Sequence, residues 1–159
     1  MELPPHATKC MSANRRYTFD TNILFYASDN AAGEKHGKAI ALTDSAIAHD
    51  CVLLLQSLGE LSNSALKRRA KWADQLREII QAYRRSFPIV ASSEADLEQA
   101  LLLHQQHNVP FWDAMLWATA RRAGCTLLLS EDLQDGQTLG GVTIRNPFAP
   151  GFDLDALLA

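Results

Sequence analysis

Asp113 lies in a run from Val109 to Ala120 that is apolar on nearly every side. A helix of that composition is buried. A carboxylate is almost never buried without a partner or a metal, because stripping its water costs several kcal/mol or shifts its pKa. Two more acids stand at matching junctions: Asp20 begins the Asp20, Thr21, Asn22 sequence directly after a β-prone run from Tyr17 to Phe19, and Asp132 follows the apolar run from Thr126 to Ser130. Open parallel sheets gather functional groups outside the carboxyl ends of their strands, so Asp20 and Asp132 can share one crevice that Asp113 enters from a neighbouring helix. Three converging acids with no lysine beside them in sequence suit a hard divalent cation such as Mg²⁺ or Mn²⁺.

The elements that must hold these acids follow from the same pattern. Pro110 suits a first helical turn and places Asp113 near the positive end of the helix dipole, while Gly124 stops the helix. Thr126 to Ser130 reads as a strand covered on both faces. Cys51 to Leu55 is a second such strand, followed by a helix buried through Leu58, Leu61, Ala65 and Leu66, with Gln56, Glu60, Asn63, Ser64 and Lys67 on its other face. Glu60 alone would read as a solvated acid, but it lies about one turn beyond a strand's carboxyl end and so reaches the same crevice. A helix is expected from Glu34 to His49, a strand from Phe87 to Val90, a helix from Ser92 and Ser93 to about His107, and a last strand from Val142 to Arg145. About five short strands alternating with helices predict an α/β sandwich with a mostly parallel sheet.

The chain has 159 residues, the size of one domain with a sizeable core. Its hydrophobic fraction of 47% and charged fraction of 21% are ordinary for a soluble protein, and no apolar run approaches a membrane span of roughly 18 residues. The N-terminus lacks the charged and apolar regions of a secretory signal. Cys10, Cys51 and Cys125 have no CxxC spacing and read as reduced thiols, which suits the cytoplasm. A net charge of −3 argues against a general nucleic-acid coat protein but leaves room for local basic patches.

Lys67 to Lys71, with Arg84 and Arg85, flank an amphipathic helix carrying Trp72, Leu76, Ile79, Ile80 and Tyr83, and could touch a phosphate backbone. His104 and His107 have ligand-like spacing but no nearby cysteine, so zinc is disfavoured. Trp112 and Trp117 read as core. A phosphatase of the haloacid-dehalogenase type would need an acid two residues after Asp20, where this chain has Asn22.

Asp20, Thr21 and Asn22, then Glu60, the helix start at Phe111, Trp112 and Asp113, and the stretch from Leu129 to Gly136 together resemble the PIN-domain nucleases. More narrowly they resemble the single-domain ribonuclease toxins of bacterial toxin–antitoxin modules (VapC-type toxins). The resemblance spans about Tyr17 to Phe148. It implies a PIN-like α/β/α sandwich at residues 17–148, between a flexible lead-in at 1–16 and a tail at 149–159. It also implies a catalytic and metal-binding quartet of Asp20, Glu60, Asp113 and Asp132, with Asn22 and Ser130 shaping their surroundings and Asp135 assisting. Of the adjacent Glu131 and Asp132, Asp132 is expected to face the site. By the same resemblance the activity is hydrolysis of RNA phosphodiester bonds with Mg²⁺ or Mn²⁺, and the partners are an antitoxin protein and a second copy of the chain. The alternative is a catalytically silent PIN-like module that binds protein or RNA.

Overall fold

The computed structural model describes residues 15–68 and 73–158. Cys10, most of the expected lead-in and the Arg69 to Trp72 part of the basic helix flank lie outside the described residues. Among the described residues, six strands and seven α-helices run in the order β1 (Tyr17–Phe19), α1 (Thr21–Ser28), α2 (Glu34–Ala46), β2 (Leu53–Leu54), α3 (Leu55–Arg68), α4 (Ala73–Ser86), β3 (Ile89–Val90), α5 (Glu94–His107), α6 (Phe111–Arg122), β4 (Leu127–Leu129), β5 (Thr138–Leu139), β6 (Val142–Arg145) and α7 (Leu154–Leu158). Strands β1, β4 and β6 are parallel neighbours, β5 pairs antiparallel with β6, and β2 pairs in parallel with β3. A parallel bridge between Tyr17 and Cys51 joins β1 to the start of the β2 segment, so both sheets form one twisted layer.

Alternation along the central strands builds two cores. Tyr17, Phe19, Leu127 and Leu129 pack with Ile23, Leu24, Leu42 and Leu61 on one face; Leu128, Val142 and Ile144 pack with Met115, Leu116 and Trp117 on the other. This three-layer α/β/α arrangement with a mostly parallel sheet matches the expected class. The sheet differs from the expected five strands by β5, a two-residue strand closed onto β6 by Gly140 and Gly141. Both turn glycines have positive φ, 53° and 86°, as a two-residue hairpin of the I′ kind requires. A Cβ on Gly140 would stand 2.8 Å from the buried Trp117 ring, whereas one on Gly141 would meet nothing within 4 Å. Gly140→Ala should therefore lower stability by on the order of 2 kcal/mol and Gly141→Ala by less, measured by urea unfolding. Equal losses would contradict the packing of this turn.

Helix α6 ends in a Schellman arrangement, with Gly124 N–H donating to the Arg121 carbonyl and Cys125 N–H to that of Ala120. Near its end Arg122 reaches the buried Asp96 carboxylate at 2.8 Å. Asp96 also accepts at 2.8 Å from the Ser93 N–H, so one carboxylate caps α5 and ties it to α6. Burial alone would raise the Asp96 carboxyl, but Arg122 and Ser93 outweigh it and hold the group below its ordinary value. Arg122→Met should cost about 3 kcal/mol by leaving this charge buried and unpaired. In the wild type the pair's contribution is present above the unfolded carboxyl value and lost as pH falls through the lower folded one. A denaturant midpoint unchanged in Arg122→Met would refute this.

At three places the structure adds to or departs from these expectations. Arg15 and Arg16 belong to the body: Arg15 donates to the Leu157 carbonyl and Arg16 binds Asp50 at 3.0 Å. The expected tail contains α7, whose Leu154 and Leu158 are buried. Trp112, expected in the core, is 63% exposed because it projects outward from the first turn of α6, whereas Trp117 is buried as expected. Cys51 and Cys125 are buried free thiols, and burial pushes that of Cys125 up to about 12. Among the described residues, no helix is long and apolar enough to cross a membrane.

Candidate active site

Asp20 sits where β1 ends and α1 begins. It caps the helix, its carboxylate accepting from the Asn22 N–H at 2.7 Å, while its other oxygen accepts from the Ser130 hydroxyl at 2.5 Å. Because β1 and β4 are parallel neighbours in register, their carboxyl ends coincide, and the loop after β4 brings Ser130 and Asp132 beside Asp20. Asn22 donates from Nδ2 to Asp132 at 2.6 Å. Asp113 enters from the first turn of α6 and Glu60 from the second turn of α3. All four acids line one cavity of about 230 Å³, together with Thr21, Asn22, Gln56, Asn63, Ser64 and Leu116.

Among the described residues, no basic side chain lines that cavity. Its electrostatics are correspondingly strained. Burial, then the neighbouring Asp132 and Asp113, push the Asp20 carboxyl up to about 6 against the pull of Ser130 and Asn22. Asp113 is raised by burial and by Asp132 and Glu60. Asp132 is raised by burial and Glu131, with Lys35 and Asn22 opposing. The donors offered are hard oxygens throughout, the set that Mg²⁺ or Mn²⁺ accepts. Among the described residues, however, no three His, Cys, Asp or Glu side chains are gathered closely enough to hold an ion as they stand. Three of the four carboxylates rest instead on neutral donors: Asp20 on Ser130, Asp132 on Asn22, and Glu60 on Thr21 and Gln56.

Consecutive positions after β4 point to opposite sides. Asp132 faces the cavity, while Glu131 accepts from the Tyr26 hydroxyl and the Lys35 ammonium, each at 2.5 Å. Lys35 also lies over the Phe148 ring, 5.2 Å from its centroid, closing a clamp that occupies Glu131 away from the cavity. Asp135, expected to assist, is not brought to the cavity; it binds Arg145 at 3.0 Å and the Asn146 N–H at 2.8 Å. His104 is tied to the Val109 carbonyl at 2.8 Å. Sequence reasoning missed Thr21, Gln56, Asn63 and Ser64. The signal was present, since Gln56, Glu60, Asn63 and Ser64 share one helical face; that face borders the cavity as well as solvent.

The PIN domain family model matches residues 17–134. None of the curated proteins compared matches the chain. Among solved structures, Mycobacterium tuberculosis VapC20, described as a sarcin–ricin-loop-cleaving toxin, is 19% identical with a TM-score of 0.59 over 73% of this chain and 91% of that one. A toxin–antitoxin complex from Klebsiella pneumoniae is 23% identical with a TM-score of 0.60 over 83% of this chain and 98% of that one. FitAcB from Neisseria gonorrhoeae is 22% identical with a TM-score of 0.63 over the same shares, 83% and 98%. At these identities the neighbours establish the fold, while the family match runs from β1 past the last of the four acids. The chain belongs to the PIN domain family.

Proposed function

We propose that this protein is a divalent-metal-dependent endoribonuclease, the toxin of a toxin–antitoxin module. The observation that carries the reading is the gathering of Asp20, Glu60, Asp113 and Asp132 around one cavity that, among the described residues, is lined by no basic side chain. Such a cavity repels a polyanion unless a cation joins it: at an effective dielectric near 20, each close carboxylate pair contributes about 4 kcal/mol of repulsion. Asp20, Asp113 and Asp132 would hold Mg²⁺ or Mn²⁺ directly or through water after small side-chain rotations, with Glu60 beside them. When bound, the cation would neutralise the carboxylates and polarise the scissile phosphate. Glu60, held by Thr21 at 2.8 Å and Gln56 at 2.8 Å, is placed to orient the attacking water and take its proton. Ser130 and Asn22 keep Asp20 and Asp132 turned toward the cavity.

The toxin reading is supported by the solved neighbours, one described as a sarcin–ricin-loop-cleaving toxin and another as a toxin–antitoxin complex. Exposed apolar side chains such as Leu97, Leu101 and Trp112 offer area for an antitoxin helix or for a second copy of the chain. On this reading the protein would act in the cytoplasm, which free buried thiols suit. The test is a labelled structured RNA, beside DNA of the same sequence, incubated with the purified protein in Mg²⁺, in Mn²⁺ and in EDTA. RNA cleavage that EDTA stops supports the proposal; metal-dependent cleavage of DNA alone, or cleavage that persists in EDTA, contradicts it.

The clamp on Glu131 makes a further prediction. Glu131→Gln should reduce hydrolysis less than about tenfold, whereas Asp132→Asn should reduce it more than about a hundredfold. The reverse ranking would put Glu131 in the site.

A further inference from the structure

Gln56 opens the exposed face of α3 and donates two hydrogen bonds from one amide nitrogen, to Glu60 Oε1 at 2.8 Å and to the Trp112 carbonyl at 2.9 Å. Both partners are acceptors, so the NH₂ end must face them and the amide cannot be turned round. Its Oε1 is thereby left buried and, among the described residues, without a partner. A buried unpartnered carbonyl is destabilising, and buried polar groups in folded proteins are nearly always paired. An apolar side chain of the same length would avoid that penalty here. The carboxylate it serves lines an open cavity and the Trp112 bond lies at an exposed rim, so water could replace both.

The residues that Gln56 joins explain why the penalty is tolerated. The same amide nitrogen holds Glu60 and the carbonyl of the residue immediately before Asp113, at the start of α6. Thr21 holds the second Glu60 oxygen at 2.8 Å, so the carboxylate is fixed from both sides by neutral donors. We propose that Gln56 is a positioning residue that sets Glu60 relative to Asp113, retained at a cost in stability. The proposal rests on the hydrolase reading for its catalytic consequence, and on geometry alone for its effect on the acid pair.

Gln56→Met preserves length and helix preference while removing both donors and the orphaned oxygen. Its metal-free melting temperature should equal or exceed the wild type's, its Mn²⁺ titration midpoint in thermal-shift measurements should move to higher concentration, and its kcat should fall about tenfold to a hundredfold with little change in KM. Gln56→Glu, which sets a second carboxylate against Glu60, should lose as much kcat or more. A lower melting temperature in Gln56→Met together with unchanged Mn²⁺ midpoint and kcat would make Gln56 an ordinary structural residue and overturn the proposal. If the wild type itself cleaves no RNA, the hydrolase reading fails by that control, and the melting temperature and Mn²⁺ midpoint still decide the role of Gln56.

Discussion

Asp113→Asn should reduce RNA hydrolysis by at least about a thousandfold, equivalent to about 4 kcal/mol of transition-state stabilisation, while leaving the fold intact. The size follows from position. Asp113 is the acid that α6 contributes to the cavity beside Asp20, Asp132 and Glu60, and among the described residues no basic lining side chain neutralises its charge. Asparagine keeps the shape and one acceptor oxygen but removes the charge that a cation needs. Because burial and the facing carboxylates of Asp132 and Glu60 already raise the Asp113 carboxyl, its removal relieves strain in the metal-free protein. The variant's melting temperature without metal should therefore be no lower than the wild type's. Circular dichroism melting beside single-turnover cleavage checks both halves, and a variant that is inactive only because it is unfolded would refute the account.

The second large effect is a pH dependence of stability that disappears when metal is present. The Asp20 carboxyl rises from an ordinary value of 3.8 to about 6 in the folded chain, chiefly by burial. Between those values the folded state holds a proton that the unfolded state has lost, so stability falls as pH rises. Below about 4 the group is neutral in both states and no penalty applies; above about 6 it is charged in both, and the penalty of about 3 kcal/mol is complete. Asp113 and Asp132 are shifted in the same direction and add to the trend. Metal-free Asp20→Asn should melt higher than the wild type at pH 7 and about the same at pH 4. Saturating Mn²⁺ should flatten the wild-type profile, since the cation compensates the charge. A metal-free wild type whose stability rises from pH 4 to pH 7 as Asp20→Asn does would contradict the burial of these charges.

What the sequence disclosed and what it hid divide along physical lines. The α6 helix was legible because Asp113 is anomalous among apolar neighbours, and β1 and β4 because short buried parallel strands read as continuous apolar runs. Ser93 announced the start of α5 and Gly124 the end of α6 through cap chemistry that depends only on local residues. The β5–β6 hairpin was missed although paired glycines signal such a turn, because two residues are too few to show alternation. Contacts between residues far apart in the chain left no local mark. Nothing near Glu131 in sequence reveals Tyr26 and Lys35, and nothing near Asp135 reveals that Arg145 occupies it. On the face of α3 only Glu60 was drawn into the site, because a polar face bordering a cavity has the same composition as one facing water. Trp112 looked like core by type, but its place in the first helical turn directs it outward.

The most direct measurement is a calorimetric titration of Mn²⁺ into the metal-free wild type and Asp113→Asn at pH 6, repeated in two buffers of different ionisation enthalpy. If the four acids form one cation site, the wild type binds Mn²⁺ and releases a fraction of a proton as the Asp20 carboxyl ionises, and Asp113→Asn binds at least about tenfold more weakly. Equal binding by the two proteins, with no proton released, would mean that the acids around this cavity do not act together on a metal.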